Sequence, residues 1–209
     1  MEITNLGHAS FLIKGDNISL VVDPYRDDSV PGLRFPRVSA NYAFKSHDHH
    51  DHDALDLVKK IPTDVKVDVE TITVPHDKQG GLQRGLNLMH IFNIDGLKII
   101  HTGDLGCIPT DKVLDKMKGA DIIFAPINGF YTISAEELCA IVQIVRPKLV
   151  VAMHYYKQSD NSGYPDGGQI ERFKKYVGTY FEVNEPTVKV DADLLNKKVL
   201  IFNKALQEK

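Results

Sequence analysis

The sequence predicts a layered α/β domain, and two observations carry that expectation. Short apolar runs of strand length recur along the 209 residues, and from residue 110 onward they alternate with stretches bearing helix signals. Histidines and aspartates stand just past the ends of several of these runs, which is where layered α/β folds gather binding loops from a rigid sheet.

Taken in order, Ile3–Leu6, Ala9–Ile13 and Ile18–Val22 read as strands joined by turns at Gly7-His8 and Gly15-Asp16-Asn17. Asp23-Pro24 ends the third, because proline cannot donate within a central ladder. Residues 26–41 carry no clear period and read as a loop, whose Arg34 and Arg37 are either solvated or available to an anionic substrate. Asp53–Lys60 reads as a helix. Strands follow at Glu70–Pro75, Asn87–Ile94 and Leu97–His101, the last two joined by the hairpin signal Asp95-Gly96. Thr110 is a candidate cap for a helix over Asp111–Lys118, which Gly119 stops. Asp121–Pro126 is a buried strand. Ser134 and Glu137 form a capping box opening a helix over Ala135–Val145. Lys148–Met153 is a further strand, followed by a helix over Gln169–Val177 and strands near Val188 and Val199–Phe202. With neither linker nor tandem repeat, residues 1–209 read as one domain.

Composition narrows the function. A net charge of −3 with no basic block argues against nucleic acid as the partner. No apolar run approaches the roughly 20 residues of a membrane helix, and the first residues lack the pattern of a signal peptide. Two cysteines are too few for a disulfide framework. The expectation is a cytoplasmic protein acting on a small molecule, with self-association left open.

The densest chemistry lies in Ser46-His47-Asp48-His49-His50-Asp51-His52. Imidazole and carboxylate donors suit Zn²⁺ and its first-row neighbours. His47 and His49 are two apart, so extended backbone points both to one side. Asp51 and His52 follow where the chain turns and can face a second point nearby. His76, Asp104 and His154 each follow an apolar strand, which turns scattered histidines into a candidate site. Asp23, just past a buried strand, is either a turn former or a carboxylate that orients a metal histidine from behind. His8 reads as a buried histidine beside the site rather than a direct ligand.

The ordered set His47-x-His49-x-Asp51-His52, His76, Thr102-Gly103-Asp104 and His154 resembles the motifs of the metallo-β-lactamase superfamily. The resemblance implies a four-layered αββα sandwich of mixed sheets with helices on its outer faces, and two divalent metal ions per chain. Zn²⁺ is the first expectation, with Mn²⁺ or Fe²⁺ as alternatives. It further implies that His47, His49 and His76 hold one ion, that Asp51, His52 and His154 hold the other, and that Asp104 bridges. Asp23 matches the family's early aspartate. Gly7-His8-Ala9-Ser10-Phe11 and Gly103-Asp104-Leu105-Gly106 resemble the branch near the ascorbate-6-phosphate lactonases.

Departures from other branches point to a compact hydrolase of a small ester, lactone or phosphodiester. The redox members carry glutamate where His49 stands, the cleavage-factor nucleases need a long insertion, and glyoxalase II adds a helical domain. The resemblance implies that a water shared by two cations becomes the nucleophile, with Asp104 and Asp51 the catalytic carboxylates. Lys78, Arg84 and Tyr131 follow or flank ligand positions and are the candidate substrate contacts. The alternatives are an iron-based oxidoreductase and a metal-binding protein without catalysis.

Overall fold

The computed structural model describes residues 1–157 and 161–206. In chain order its strands are β1 (Glu2–Gly7), β2 (Ser10–Lys14), β3 (Ser19–Val22), β4 (Ser39–Ala40), β5 (Tyr42–Phe44), β6 (Lys59–Lys60) and β7 (Asp68–Pro75). They continue as β8 (Leu86–Ile94), β9 (Leu97–His101), β10 (Ile122–Pro126), β11 (Leu149–Met153), β12 (Phe181–Val183), β13 (Thr187–Lys189) and β14 (Lys198–Phe202). The helices are α1 (Asp111–Met117), α2 (Ala135–Val145), α3 (Gln169–Val177) and the short α4 (Ala192–Leu195).

The strands form a five-stranded sheet in the order β13-β1-β2-β3-β5 and a seven-stranded sheet in the order β12-β14-β11-β10-β9-β8-β7, while β4 and β6 pair separately. Successive side chains of a strand point to opposite faces, and the sequence uses this strictly. Phe11, Ile13, Leu20 and Val22 meet Phe92, Ile99, Phe124, Val151 and Phe202 in a core between the sheets. Ile100, Ile123, Val150 and Ile201 face the other way and pack under Leu114 of α1, Leu138 and Ile141 of α2, and Phe173 of α3. Strands β10 and β11 are buried on both faces, which is why they read as unbroken apolar runs.

Helices α1 to α3 therefore cover the larger sheet. The smaller sheet's outer face is covered instead by Tyr25, by Val30, Leu33, Phe35 and Ala40 of the residue 26–41 region, and by Val58. The helix expected over Asp53–Lys60 does not form; the segment holds one 3₁₀ turn, Leu55–Leu57, and then β6. Its amides are claimed from outside: Ala54 N–H donates to Pro24 O and Lys59 N–H to Val38 O, which holds Ala54 and Val58 against the loop. Helix α2 carries the expected capping box of Ser134 and Glu137. Thr110 sits at the N-cap of α1, but its side chain makes no cap hydrogen bond. Among the described residues no helix is long and apolar enough to cross a membrane. The β1–β2 turn and the loops after β3, β5, β7, β9 and β11 carry His8, Asp23, His47–His52, His76, Asp104 and His154.

Candidate metal centre

Asp104 is the hub of this convergence. Its Oδ2 lies 3.2 Å from His154 Nε2, 3.3 Å from His52 Nε2, 3.5 Å from His76 Nε2 and 4.0 Å from His47 Nε2. Strands β9, β10 and β11 run parallel, so their C-terminal ends share one edge of the sheet and deliver Asp104 and His154 to the same place. Donor atoms of His47, His49 and His76 lie within 4.8 Å of one another, as do those of His8, Asp51, His52 and His154, and those of His47, His52 and Asp104. The structure thus brings together all seven residues that the motif nominates, with His8 among them.

Behind the ligands stands Asp23, fully buried. Its Oδ1 accepts from Ser46 N–H at 2.6 Å, its Oδ2 accepts from Ser46 Oγ at 2.8 Å, and Oδ2 lies 3.0 Å from His52 Nδ1. Ser46 Oγ in turn lies 2.9 Å from His47 Nδ1. One carboxylate therefore orients His52 directly and His47 through a serine, turning both Nε2 atoms toward Asp104. Burial alone would raise the Asp23 pKa, but His52 opposite it brings the carboxyl down to about 2. Asp23 also makes the turn, with φ +50°, while its carboxylate faces His52.

Other residues hold the turn that carries Asp104. Buried Asn87 donates to Thr102 O at 2.7 Å and accepts from Asp104 N–H at 2.8 Å, pinning the turn that presents the hub. His101 Nδ1 accepts from Gly103 N–H at 3.2 Å, which leaves Nε2 as the donor to Ala9 O at 2.9 Å. Gly103 has φ +55°, and a Cβ there would sit 2.3 Å from Asn87 Oδ1 and 2.4 Å from Ser46 Cβ. At Gly106 a Cβ would lie 2.1 Å from both His76 C and Asp77 N, so this glycine is where the β9–α1 loop touches the His76 loop.

Electrostatics follow from burial and the neighbouring carboxylates. Burial and the adjacent His154 lower His8 to about 4, while burial and His52 lower His47 to about 3. Burial disfavours charge on His52 too, but Asp104 and Asp23 outweigh it and raise its pKa well above 6.5. Asp104 is held well below the ordinary carboxylate range against its burial by His154 and His52.

The donor set fits a cation. His47 Nε2, His52 Nε2 and Asp104 Oδ1 are buried with no hydrogen-bond partner among the described residues. Such orphaned atoms are rare unless something completes them, and imidazole with carboxylate is the ligand chemistry of first-row divalent metals.

Above the donors opens a cavity of about 230 Å³ lined by His49, Asp51, His76, Asp104, His154, Arg84, Tyr131 and Tyr164. The Arg84 guanidinium lies 4.4 Å over the Tyr131 ring. Arg84 is delivered by Asp77, whose carboxylate accepts four backbone N–H bonds, from Gln79 and Gly81 on Oδ1 and from Gln83 and Arg84 on Oδ2, at 2.7–2.9 Å. Burial would raise the Asp77 pKa; the four amides more than reverse this and bring it to about 2. Tyr164 turns its ring to the cavity while its hydroxyl donates to Ser29 O.

Three candidate substrate contacts are corrected. Lys78 is exposed and pairs with Glu137 of α2 at 3.0 Å, so it does not line the cavity. Arg37 and Arg34 are held by Asp27, at 2.6 and 3.8 Å, on the outer loop. The tyrosines that line the cavity are Tyr131 and Tyr164.

A histidine–aspartate donor set at the strand ends of a two-sheet α/β sandwich is the arrangement of a metallo-β-lactamase fold. The Beta-lactamase superfamily domain model matches residues 2–154, and the chain belongs to that family. A relative from Pyrococcus abyssi, a UPF0173 protein, is 29% identical over 204 residues, covering 84% of this chain and 90% of its own. One from Archaeoglobus fulgidus, named a UPF0173 metal-dependent hydrolase, is 27% identical over 193 residues, covering 74% and 83%. Among solved structures, a candidate Zn-dependent hydrolase of the metallo-β-lactamase superfamily from Thermotoga maritima superposes with a TM-score of 0.73 at 24% identity, covering 96% and 97% of the two chains.

Proposed function

We propose that this chain is a metal-dependent hydrolase with a dinuclear centre, acting on a small anionic ester, lactone or phosphodiester. The observation that carries the reading is four histidine Nε2 atoms and Asp51 gathered around Asp104 on the floor of a cavity whose rim holds a guanidinium. His47, His49 and His76 would hold one ion and Asp51, His52 and His154 the other, with Asp104 between them. Zn²⁺ suits the first set, and Zn²⁺, Mn²⁺ or Fe²⁺ the second, where carboxylate oxygen enters. Such ions supply Lewis acidity and a water acidified to near neutral pH.

The remaining work falls to the chain. Asp104, anchored through its amide by Asn87, holds its carboxylate at the junction of both donor sets, where its unpartnered Oδ1 is a donor for a cation. Tyr131 and Tyr164 close the cavity wall against bulk water. Arg84 binds the negative group of the substrate with a planar fork suited to carboxylate or phosphate. The cavity's modest size favours a small molecule, and the net charge of −3 makes extended nucleic acid a poor fit. Relatives named metal-dependent hydrolases support the reaction class, and the Gly7–Phe11 and Gly103–Gly106 motifs support the lactonase-like branch.

The test is a hydrolysis panel of nitrophenyl esters, lactones and bis-nitrophenyl phosphate on protein loaded with Zn²⁺ or Mn²⁺, alongside elemental analysis. Turnover of one class, lost on chelation and restored by metal, is the expected result. Protein that takes up no transition metal would refute the reading.

A further inference from the structure

We propose that His8 is itself a ligand of the second metal, donating Nε2 beside Asp51, His52 and His154; the inference rests on the two-metal reading above. His8 is fully enclosed, and both of its ring nitrogens lack a hydrogen-bond partner among the described residues. Its Nε2 lies 3.4 Å from Asp51 Oδ2, and His52 Nε2 lies 3.7 Å from that same oxygen. Two donors held tetrahedrally at about 2.1 Å from one ion are about 3.4 Å apart, whereas a charge-assisted N–H···O bond closes to about 2.8 Å. The His8–Asp51 spacing is that of co-ligands.

The backbone places the ring deliberately. Histidine at φ +56° is costly, yet the turn is locked: Gly7 N–H donates to Asn5 Oδ1 at 3.0 Å, and His154 N–H donates to His8 O at 3.1 Å. That second bond ties His8 to a residue already in the donor set and brings the two rings to 3.9 Å. The His8 ring also borders a cavity of about 10 Å³ shared with Asn5 and Ser162, room for one water, a usual partner for the second nitrogen of a metal-bound imidazole.

The two ions are then held unequally. The first has three histidines and Asp104; the second has three histidines, Asp51 and Asp104, a set that accommodates five-coordinate Fe²⁺, Mn²⁺ or Co²⁺ as well as Zn²⁺. Crystals of the wild-type protein loaded with Co²⁺ decide the matter through anomalous maps. Two ions with His8 Nε2 at about 2.1 Å from the second support the proposal. Two ions with His8 turned away overturn it while leaving the two-metal reading intact. A single ion at His47, His49 and His76 overturns both. In solution, His8→Phe and His8→Gln that stay folded by metal-free melting are expected to weaken the second site at least ~10-fold in chelator competition and to leave the first unchanged. An unchanged second affinity in either folded variant contradicts the proposal.

Discussion

Asp23→Asn separates charge from shape at the residue behind both metal loops. Asparagine tolerates the left-handed φ of +50° that Asp23 adopts, so the turn survives and only the acceptor pattern changes. At present Oδ1 takes Ser46 N–H at 2.6 Å, while Oδ2 takes Ser46 Oγ at 2.8 Å and faces His52 Nδ1 at 3.0 Å. If the amide oxygen stays on Ser46 N–H, the NH₂ group points at His52 Nδ1. That nitrogen must then become the acceptor, which moves the imidazole proton to Nε2, the atom turned toward Asp104 and the metal. A ligand of the wrong tautomer costs about 10–100-fold in affinity, or about 1.4–2.8 kcal/mol. Leaving a buried donor unpaired instead costs a comparable ~1–3 kcal/mol. Competition against a chromophoric chelator, resolving two Zn²⁺ equilibria per chain, is therefore expected to show the His52 site weakened by that factor. The His47 site, coupled only through Ser46, should lose less. Metal-free melting of the variant checks that the fold persists. Two wild-type affinities in Asp23→Asn would refute the orienting role.

Other perturbations test other parts of the site. Asp104→Ala removes the hub and is expected to cut any measured hydrolysis at least ~100-fold and to lower bound metal by elemental analysis; Asp104→Asn should fail as well, and full activity in either would refute the bridging role. Arg84→Ala should raise KM for a negatively charged substrate with little change in kcat, because a rim cation binds ground and transition states alike; an unchanged KM would remove it from the substrate. Gly106→Ala puts a Cβ 2.1 Å from His76 C, so the loops must part by roughly 1.5 Å to regain ordinary contact. Wild-type metal content and melting temperature in that variant would count against the packing described. Asp77, with a folded pKa of about 2 against an ordinary 3.8, stabilises its loop above pH 3.8 and loses that contribution as the pH falls through about 2. Protection factors of the Gln79, Gly81, Gln83 and Arg84 amides, taken against the intrinsic rate at each pH, should be high at neutral pH, fall across that acid window, and be low at neutral pH in Asp77→Asn; equal protection in the variant would refute the cradle.

What was legible in the sequence is what local patterning encodes. The strand runs, the three longer helices and the capping box at Ser134 follow from periodicity and from end signals. Of the seven motif residues, four stood out in the dense tract His47–His52 and the other three, His76, Asp104 and His154, because each follows a strand-like run. Asn87, Asp77 and the Ser46 relay were hidden because their partners are backbone amides or neighbours fixed only by tertiary contact. Nothing local distinguishes Asn87 from any other strand asparagine until the Thr102–Asp104 turn folds against it. The segment at Asp53–Lys60 has the composition of a helix, and distant carbonyls of Pro24 and Val38 took its amides. Lys78 and Arg84 flank one loop with equal promise; which of them faces the cavity depends on the Asp77 cradle and on Glu137 of α2.

The smaller sheet gains its edge strand β13 late in the chain. Strand β1 pairs with β13, Ile3 opposite Val188 and Thr4 opposite Thr187, and Leu206 N–H returns to Asn5 O. The last of the candidate donor side chains, His154, is therefore translated 35 residues before Lys189, the far end of the strand that pairs with the first. At ~5–20 residues per second this is roughly 2–7 s of synthesis. Through that interval the His47–His52 tract is already translated while β1 has β2 beside it but still lacks β13. Every donor residue of the candidate centre is thus translated before the smaller sheet has its last strand.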